Sequence, residues 1–174
     1  MTSPADKNHP LNALHSMETL ESRLLLTTTI GSVAVSPNPV HLGDTIQVSA
    51  LQVAVTGSTI KQVDFYRDLN GDSQVQPNEL LGSDTSSDGG WTWSGSTNSW
   101  TYANSYRIMA VAVDNTSASS ATASVVMNVL PALDSYEPNS GFAASYNLGV
   151  MEHIDLTDLS IDTAGKSDFF KFKA

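Results

Sequence analysis

The stretch Tyr106-Arg107-Ile108-Met109-Ala110-Val111-Ala112-Val113-Asp114 decides the fold of this chain. Both of its alternating sets of side chains are mostly apolar, which is typical of a strand that is covered on both faces. The stretch therefore predicts a central strand, with further strands paired along both of its edges.

Short strand-like runs separated by Gly, Pro, Asn and Ser surround this stretch. We predict strands at 32–36, 45–50, 61–68, 80–83 and 121–130. Side chains alternate between the two faces of a strand. In 45–50 this places Ile46, Val48 and Ala50 on one face, and in 61–68 it places Val63 and Phe65 inward and Asp64 and Tyr66 outward. In 121–130 the residues that share one face are Ala123, Val125, Met127 and Val129. The next apolar residues, Leu51, Val53 and Val55, have the opposite phase, which predicts a bulge or a break near Ala50. Six or seven short strands in about 100 residues predict an all-β, immunoglobulin-like antiparallel sandwich over residues 31–130.

Charge and composition exclude several classes of function. The 174 residues include 8 Lys and Arg against 18 Asp and Glu, giving a formal charge of -10. No basic patch exists to neutralise phosphates, so we expect neither nucleic acid nor anionic lipid as a partner, whereas divalent cations are favoured. The chain contains no cysteine and no run of about eighteen apolar residues that could span a membrane.

Motifs for catalysis are missing from the sequence. The four histidines are scattered, and neither a Gly-x-Ser-x-Gly nor a His-Glu-x-x-His pattern occurs. We therefore expect no enzymatic activity from these residues.

The acidic stretch 68–79 has the spacing of a calcium-binding loop. Its candidate ligands are Asp68, Asn70 and Asp72 at positions 1, 3 and 5, the backbone carbonyl of Gln74 at position 7, and Glu79 at position 12. We predict that these residues bind a structural Ca²⁺. The usual glycine of position 6 is replaced by Ser73. The alternative is a hairpin turn at Asn70-Gly71, although the following segment contains Pro77 and is a poor strand.

Three tryptophans, Trp91, Trp93 and Trp100, lie close together in the sequence. They either stack on carbohydrate or fill one end of the sandwich core.

Several pieces of the sequence together resemble bacterial immunoglobulin-like repeats of adhesins and surface proteins. They are Val63–Asp68 with the turn that follows it, Leu80-Leu81-Gly82, Gly90-Trp91 and Ala110–Asn115. The resemblance covers residues 31–130 and implies the same sandwich fold.

The first 30 residues predict a mostly disordered tail with a short helix around Met17–Leu26. Within it, Leu20-Glu21-Ser22-Arg23-Leu24-Leu25-Leu26 is similar to the LEPR-x-LL signature of large planctomycete surface proteins, with Ser22 in place of the proline. This resemblance implies a sorting or processing segment of an exported protein.

Residues 131–174 resemble the first part of the bacterial pre-peptidase C-terminal domain, a small β-sandwich appended to secreted peptidases. The residues that carry the resemblance are Asp134–Asn139, Ala143-Ala144, Asn147–Gly149, Leu159–Ile161 and Asp168–Phe172. We expect an incomplete second β-domain here, truncated by a gene break, a premature stop or deliberate shortening.

The sequence therefore predicts a non-catalytic structural or adhesive module, extracellular or on the cell surface, that contacts an unidentified protein or glycan. One alternative is an accessory region of a larger secreted peptidase whose catalytic domain lies outside this chain. The other is a carbohydrate-binding sandwich.

Overall fold

A computed structural model of the protein describes residues 27–101, 104–157, 159–161 and 166–173. The predicted helix at Met17–Leu26 and the LEPR-x-LL-like motif lie outside the described residues. Twelve strands are present: β1 (Thr28–Thr29), β2 (Ser32–Ser36), β3 (Val40–His41), β4 (Thr45–Leu51), β5 (Ala54–Val55), β6 (Ile60–Arg67), β7 (Leu80–Asp84), β8 (Trp91–Ser96), β9 (Asn104–Asp114), β10 (Ala123–Leu130), β11 (Tyr146–Val150) and β12 (Phe170–Lys173). No described residue belongs to a helix long and apolar enough to cross a bilayer.

Two sheets form an immunoglobulin-like sandwich, as the sequence predicts. One sheet has five strands in the order β3-β10-β9-β6-β7, and the other has three in the order β2-β4-β8. All pairs in these sheets are antiparallel except β3 with β10. The strand β9 pairs with β10 on one side and β6 on the other, which confirms the predicted central position of residues 106–114.

The core lies between these two sheets. Ile46, Val48 and Ala50 of β4 are buried on one face, and Val63 and Phe65 of β6 are fully buried, as alternation predicts. The same core includes Ile108, Ala110 and Ala112 of β9 and Met127 and Val129 of β10. Apolar burial of this kind is the main favourable contribution to folding.

Two local features refine the sequence prediction. Asp64, expected to face outward, is only 8% exposed, because Gln62 Nε2 and the Ser83 hydroxyl both donate hydrogen bonds to its Oδ1. The change of phase after β4 is a break in the strand. Gln52 takes a positive φ of 55°, and the chain then starts β5, which pairs with β1.

The described residues between 131 and 173 contain a separate two-stranded sheet, called the smaller β unit below. Strands β11 and β12 pair in parallel, and Tyr136 makes edge contacts with Tyr146 and Phe170 at ring separations of 5.1 and 5.6 Å. Phe172 stays 67% exposed and Val150 77% exposed. The unit therefore has an aromatic cluster but leaves much apolar surface in water.

Candidate functional site

The acidic loop 68–79 connects β6 to β7 in the five-stranded sheet and ends in a 3-10 turn over Pro77–Glu79. The sheet holds its first residue in place, because the N–H of Asp68 donates to the Arg107 carbonyl of β9 at 3.0 Å. Glu79 immediately precedes β7. Both ends of the loop are therefore fixed by neighbouring strands of a rigid sheet.

Asp68 organises the first half of the loop. This residue is 8% exposed, and its carboxylate accepts hydrogen bonds from the N–H groups of Gly71 at 2.7 Å and Ser73 at 3.0 Å. The Nε of Arg107 lies 3.8 Å from Asp68 Oδ2. The chain is thus wrapped around the carboxylate at position 1.

Asp72 plays the same part in the exposed middle of the loop. Its carboxylate accepts hydrogen bonds from the N–H of Gln74 at 2.7 Å and from the side-chain amides of Asn70 and Gln76 at 2.9 and 2.8 Å. Its own N–H donates to Asn70 Oδ1 at 3.0 Å. Asp72 therefore contacts the residues at positions 3 and 7, Asn70 and Gln74.

Glu79 closes the loop with a buried carboxylate. The residue is 2% exposed, and its Oε1 accepts a hydrogen bond from the Leu69 N–H at 2.9 Å. Its Oε2 is buried and has no hydrogen-bond partner among the described residues. Leaving a buried charged acceptor unpaired costs about 1–3 kcal/mol or more, so this oxygen is available to a cation.

Ser73, which stands where a calcium loop usually has glycine, takes a positive φ of 62°. This is the left-handed conformation that glycine adopts most easily. Gly71 has a φ of 79°. The backbone therefore makes the sharp turn at position 6 in spite of the serine.

Each of the loop carboxylates of Asp68, Asp72 and Glu79 accepts hydrogen bonds from backbone N–H groups of the loop, but these three residues do not form a group whose ligand oxygens all lie within 4.8 Å of one another. Among the described residues, the group of three whose ligand atoms all lie within 4.8 Å of one another is Asp134, Glu137 and Asp168. In the sequence these residues carry only a fold resemblance and no recognisable ligand spacing. Asp168 is remote in sequence from the other two, so spacing along the chain gives no signal for the cluster.

The tryptophans pack in or against the core. Trp100 is 8% exposed, and Trp91 and Trp93 are half-buried against the core residues. The Trp93 ring lies along Gly82 and Gly95, where an added Cβ would come within 2.6 and 2.4 Å of it. These rings therefore pack with the apolar core of the sandwich.

Arg67, the residue before the loop, stacks on this aromatic group. Its guanidinium carbon lies 4.4 Å from the centre of the Trp100 ring and 5.4 Å from that of Tyr106. Burial lowers the pKa of Arg67 from its ordinary value. Arginine still remains charged near neutral pH, so the contact is a cation–π interaction that links the start of the loop to the core.

The sheet pairing and the buried core define the class of this chain as an immunoglobulin-like β-sandwich module. The chain matches no family model and no curated protein. Among solved structures it is similar to the fibronectin(III)-like modules of Clostridium thermocellum CbhA, with 20% identity, 62% of this chain and 49% of that chain covered, and a TM-score of 0.45. It is also similar to an engineered protein, with 21% identity, 58% and 20% of the two chains covered, and a TM-score of 0.31. The chain thus spans about half the length of the first and a fifth of the second.

Proposed function

We propose that this chain is a non-catalytic, exported surface module whose immunoglobulin-like domain is stabilised by Ca²⁺ in the loop 68–79. The ligands in this proposal are the carboxylates of Asp68, Asp72 and Glu79, the side-chain oxygen of Asn70 and the backbone carbonyl of Gln74. All five are oxygen donors, which a hard cation such as Ca²⁺ prefers.

The observation that carries the calcium proposal is the buried, unpaired Oε2 of Glu79. Position 12 of such a loop normally contributes both carboxylate oxygens to the ion. In this structure one oxygen already positions the loop through Leu69, and the other would bind the cation.

The position of the loop supports a structural role. It joins two adjacent strands of one sheet, and it lacks the flanking helix pair through which sensor loops open and signal. Calcium bound here would stiffen one end of the sandwich. Extracellular modules bind calcium at about 10⁻⁴ to 10⁻³ M, which fits a module exposed to the medium.

Thermal melting with and without calcium tests the proposal. At a free Ca²⁺ concentration of about 100 times Kd, binding adds about 2.7 kcal/mol to the free energy of unfolding. A domain of about 100 residues then melts about 10–20 °C higher, at about 4–8 °C per kcal/mol. We expect calcium to raise the Tm of the whole chain and Asp72→Ala to abolish that increment.

The matched control is Asp88→Ala, which removes an exposed carboxylate from a different turn, between β7 and β8. This variant should keep the full calcium increment. An increment that persists in Asp72→Ala, or no increment in the wild type at about 100 mM calcium, which is about 100 times the weakest expected Kd, would contradict the proposal and favour the simple hairpin.

The alternative of an accessory region in a larger secreted peptidase has one supporting observation. The described residues between 131 and 173 include a strand pair and an aromatic cluster, in the segment that resembles the pre-peptidase C-terminal domain. Sequencing the gene beyond the codon for Ala174 separates the two proposals. A peptidase signature in the same reading frame would favour the accessory role.

A further inference from the structure

A positively charged side chain of the central strand lies beside the acidic loop 68–79. Arg107 of β9 has its Nε 3.8 Å from Asp68 Oδ2, and its Nη1 donates a hydrogen bond to the Ser124 hydroxyl of β10 at 3.3 Å. The sheet fixes this arrangement, because the Arg107 carbonyl accepts a hydrogen bond from the Asp68 N–H at 3.0 Å. Arg107 and the first predicted ligand of the loop are therefore held side by side.

The two side chains of this ion pair differ in their access to water. The Asp68 side chain is 3% exposed, whereas the Arg107 side chain is 42% exposed. Asp68 is also held by the hydrogen bonds from the Gly71 and Ser73 N–H groups, and a buried carboxylate requires a compensating charge or hydrogen bonds. The carboxylate is thus fixed, while the guanidinium can move into solvent at little cost, since a partly exposed ion pair contributes little to stability.

Arg107 and a calcium ion would compete for the same carboxylate. Ca²⁺ lies about 2.3–2.6 Å from its oxygen ligands, so an ion bound to Asp68 Oδ2 would be no more than about 6 Å from Arg107 Nε. At that distance a unit charge and a divalent cation repel each other enough to change Kd about tenfold, even with the dielectric constant of water.

We propose that Arg107 is the counter-ion of Asp68 in the metal-free loop and that it weakens Ca²⁺ binding by competing for this carboxylate. The inference rests on the proposed function, because it concerns the affinity of the same loop. Arg107 is not a ligand in this account. It holds Kd near the range of about 10⁻⁴ to 10⁻³ M that is typical of extracellular modules, so the loop fills only where calcium is abundant.

Arg67 is closer to the loop in the sequence but has a different role. Its guanidinium is stacked on the rings of Trp100 and Tyr106, with its central carbon 4.4 and 5.4 Å from their centres. The ion pair of Asp68 is with Arg107, which the pairing of β6 with β9 brings to the loop. Arg107 is therefore the residue to change.

Calcium titrations followed by NMR measure the effect directly. Kd is obtained from the shifts of the Gly71 and Ser73 amides as Ca²⁺ is raised to about 100 mM at constant ionic strength. Arg107→Gln removes the charge and keeps an amide that can donate to Ser124. We expect this variant to bind Ca²⁺ about tenfold more tightly than the wild type.

Two control variants separate the local charge from other effects of the substitution. Arg107→Lys retains a positive charge at the same place and should keep the weak affinity of the wild type. Lys61→Gln makes the same change in net charge at an exposed residue of β6, about 20 Å from the loop along the strand. It should leave Kd unchanged.

The inference is overturned if Arg107→Gln binds Ca²⁺ no more tightly than the wild type, or if Lys61→Gln tightens binding equally. Failure of the proposed function gives a different result. If the wild type does not bind Ca²⁺ but Arg107→Gln does, calcium binding by the natural loop is refuted and the competition by Arg107 is supported. Absence of binding in both proteins overturns both claims.

A measurement on the unmodified chain covers the case of a variant that does not fold. The signal of the Arg107 Nε–H group should shift in step with the Gly71 amide, as Ca²⁺ displaces the guanidinium from Asp68. A calcium-dependent shift of the Gly71 amide without a shift of Arg107 Nε–H would also overturn the inference.

Discussion

The carboxylate of Asp114 is fully buried at the end of β9, where it holds the following turn together. It accepts hydrogen bonds from the Thr116 hydroxyl at 2.7 Å and from the N–H groups of Thr116 and Ala118 at 2.8 and 2.9 Å. The Thr28 hydroxyl, 3.4 Å away, ties the first strand to the same group. The pKa of Asp114 lies below its ordinary value of 3.8, and the largest cause is the hydrogen bond from the Thr116 hydroxyl. Burial alone would raise this pKa, but the hydrogen bonds together outweigh that effect.

This lowered pKa predicts a pH dependence of stability. Asp114 stabilises the fold fully above its unfolded pKa, and this contribution disappears as the pH falls through the lower folded pKa. Asp114→Asn should therefore reduce the Tm at neutral pH, and the difference from the wild type should shrink below about pH 4. Circular dichroism melts over this range measure it, with Asp88→Asn as the exposed control. A difference that stays constant or grows in acid would contradict the assignment.

At the scale of single elements, alternation in the sequence was sufficient to predict the central strand and the faces of β4 and β6. These predictions succeed because side chains alternate between faces in every strand, whatever its partners. The burial of Asp64 depends on Ser83 of a neighbouring strand, and the parallel β3–β10 pair depends on distant residues. Local patterns carry no information about such contacts.

The loop 68–79 provides the element-scale prediction, at Ser73. A residue other than glycine in the left-handed conformation costs about 1–2 kcal/mol, whereas a glycine elsewhere is destabilising by roughly 0.5–1 kcal/mol through backbone entropy. Ser73→Gly should thus leave the free energy of unfolding unchanged or raise it. Ser99→Gly, in an exposed turn without a positive φ, should lower it. Chemical denaturation measures both variants, and an equal loss in the two would show that the turn at Ser73 is unstrained.

The sequence predicts candidate calcium ligands in the loop, because all five lie within twelve positions of one another. It could not predict that Glu79 is buried with one oxygen unpaired, since this depends on how β6 and β7 enclose the loop. The cluster of Asp134, Glu137 and Asp168 was beyond sequence reasoning for a similar reason. Only the folded β unit brings Asp168 to the other two.

At the scale of the whole molecule, a compact acidic sandwich is joined to a unit with exposed apolar side chains. Phe142, Val150 and Phe172 are 85%, 77% and 67% exposed. Exposed apolar side chains promote association, while the formal charge of -10 opposes it. The smaller unit is therefore the part of the molecule from which self-association should start.

Phe172→Lys tests this assignment. We expect it to reduce self-association at high protein concentration, measured by sedimentation velocity. Val126→Lys makes the same charge change at a residue of the sandwich that is 49% exposed, and should have a smaller effect. Equal behaviour of the two variants would mean that net charge, and not the apolar surface near Phe172, controls association.

The most direct test of the central claim is a calcium titration followed by NMR of the unmodified chain. The amides of Leu69, Gly71, Ser73 and Gln74 donate to the loop carboxylates, so their signals should report any ion that binds there. We predict that all four shift together as Ca²⁺ reaches about 10⁻³ M, while amides of the β2–β4 pair remain unchanged. Four unshifted signals at that concentration would contradict calcium binding by this loop.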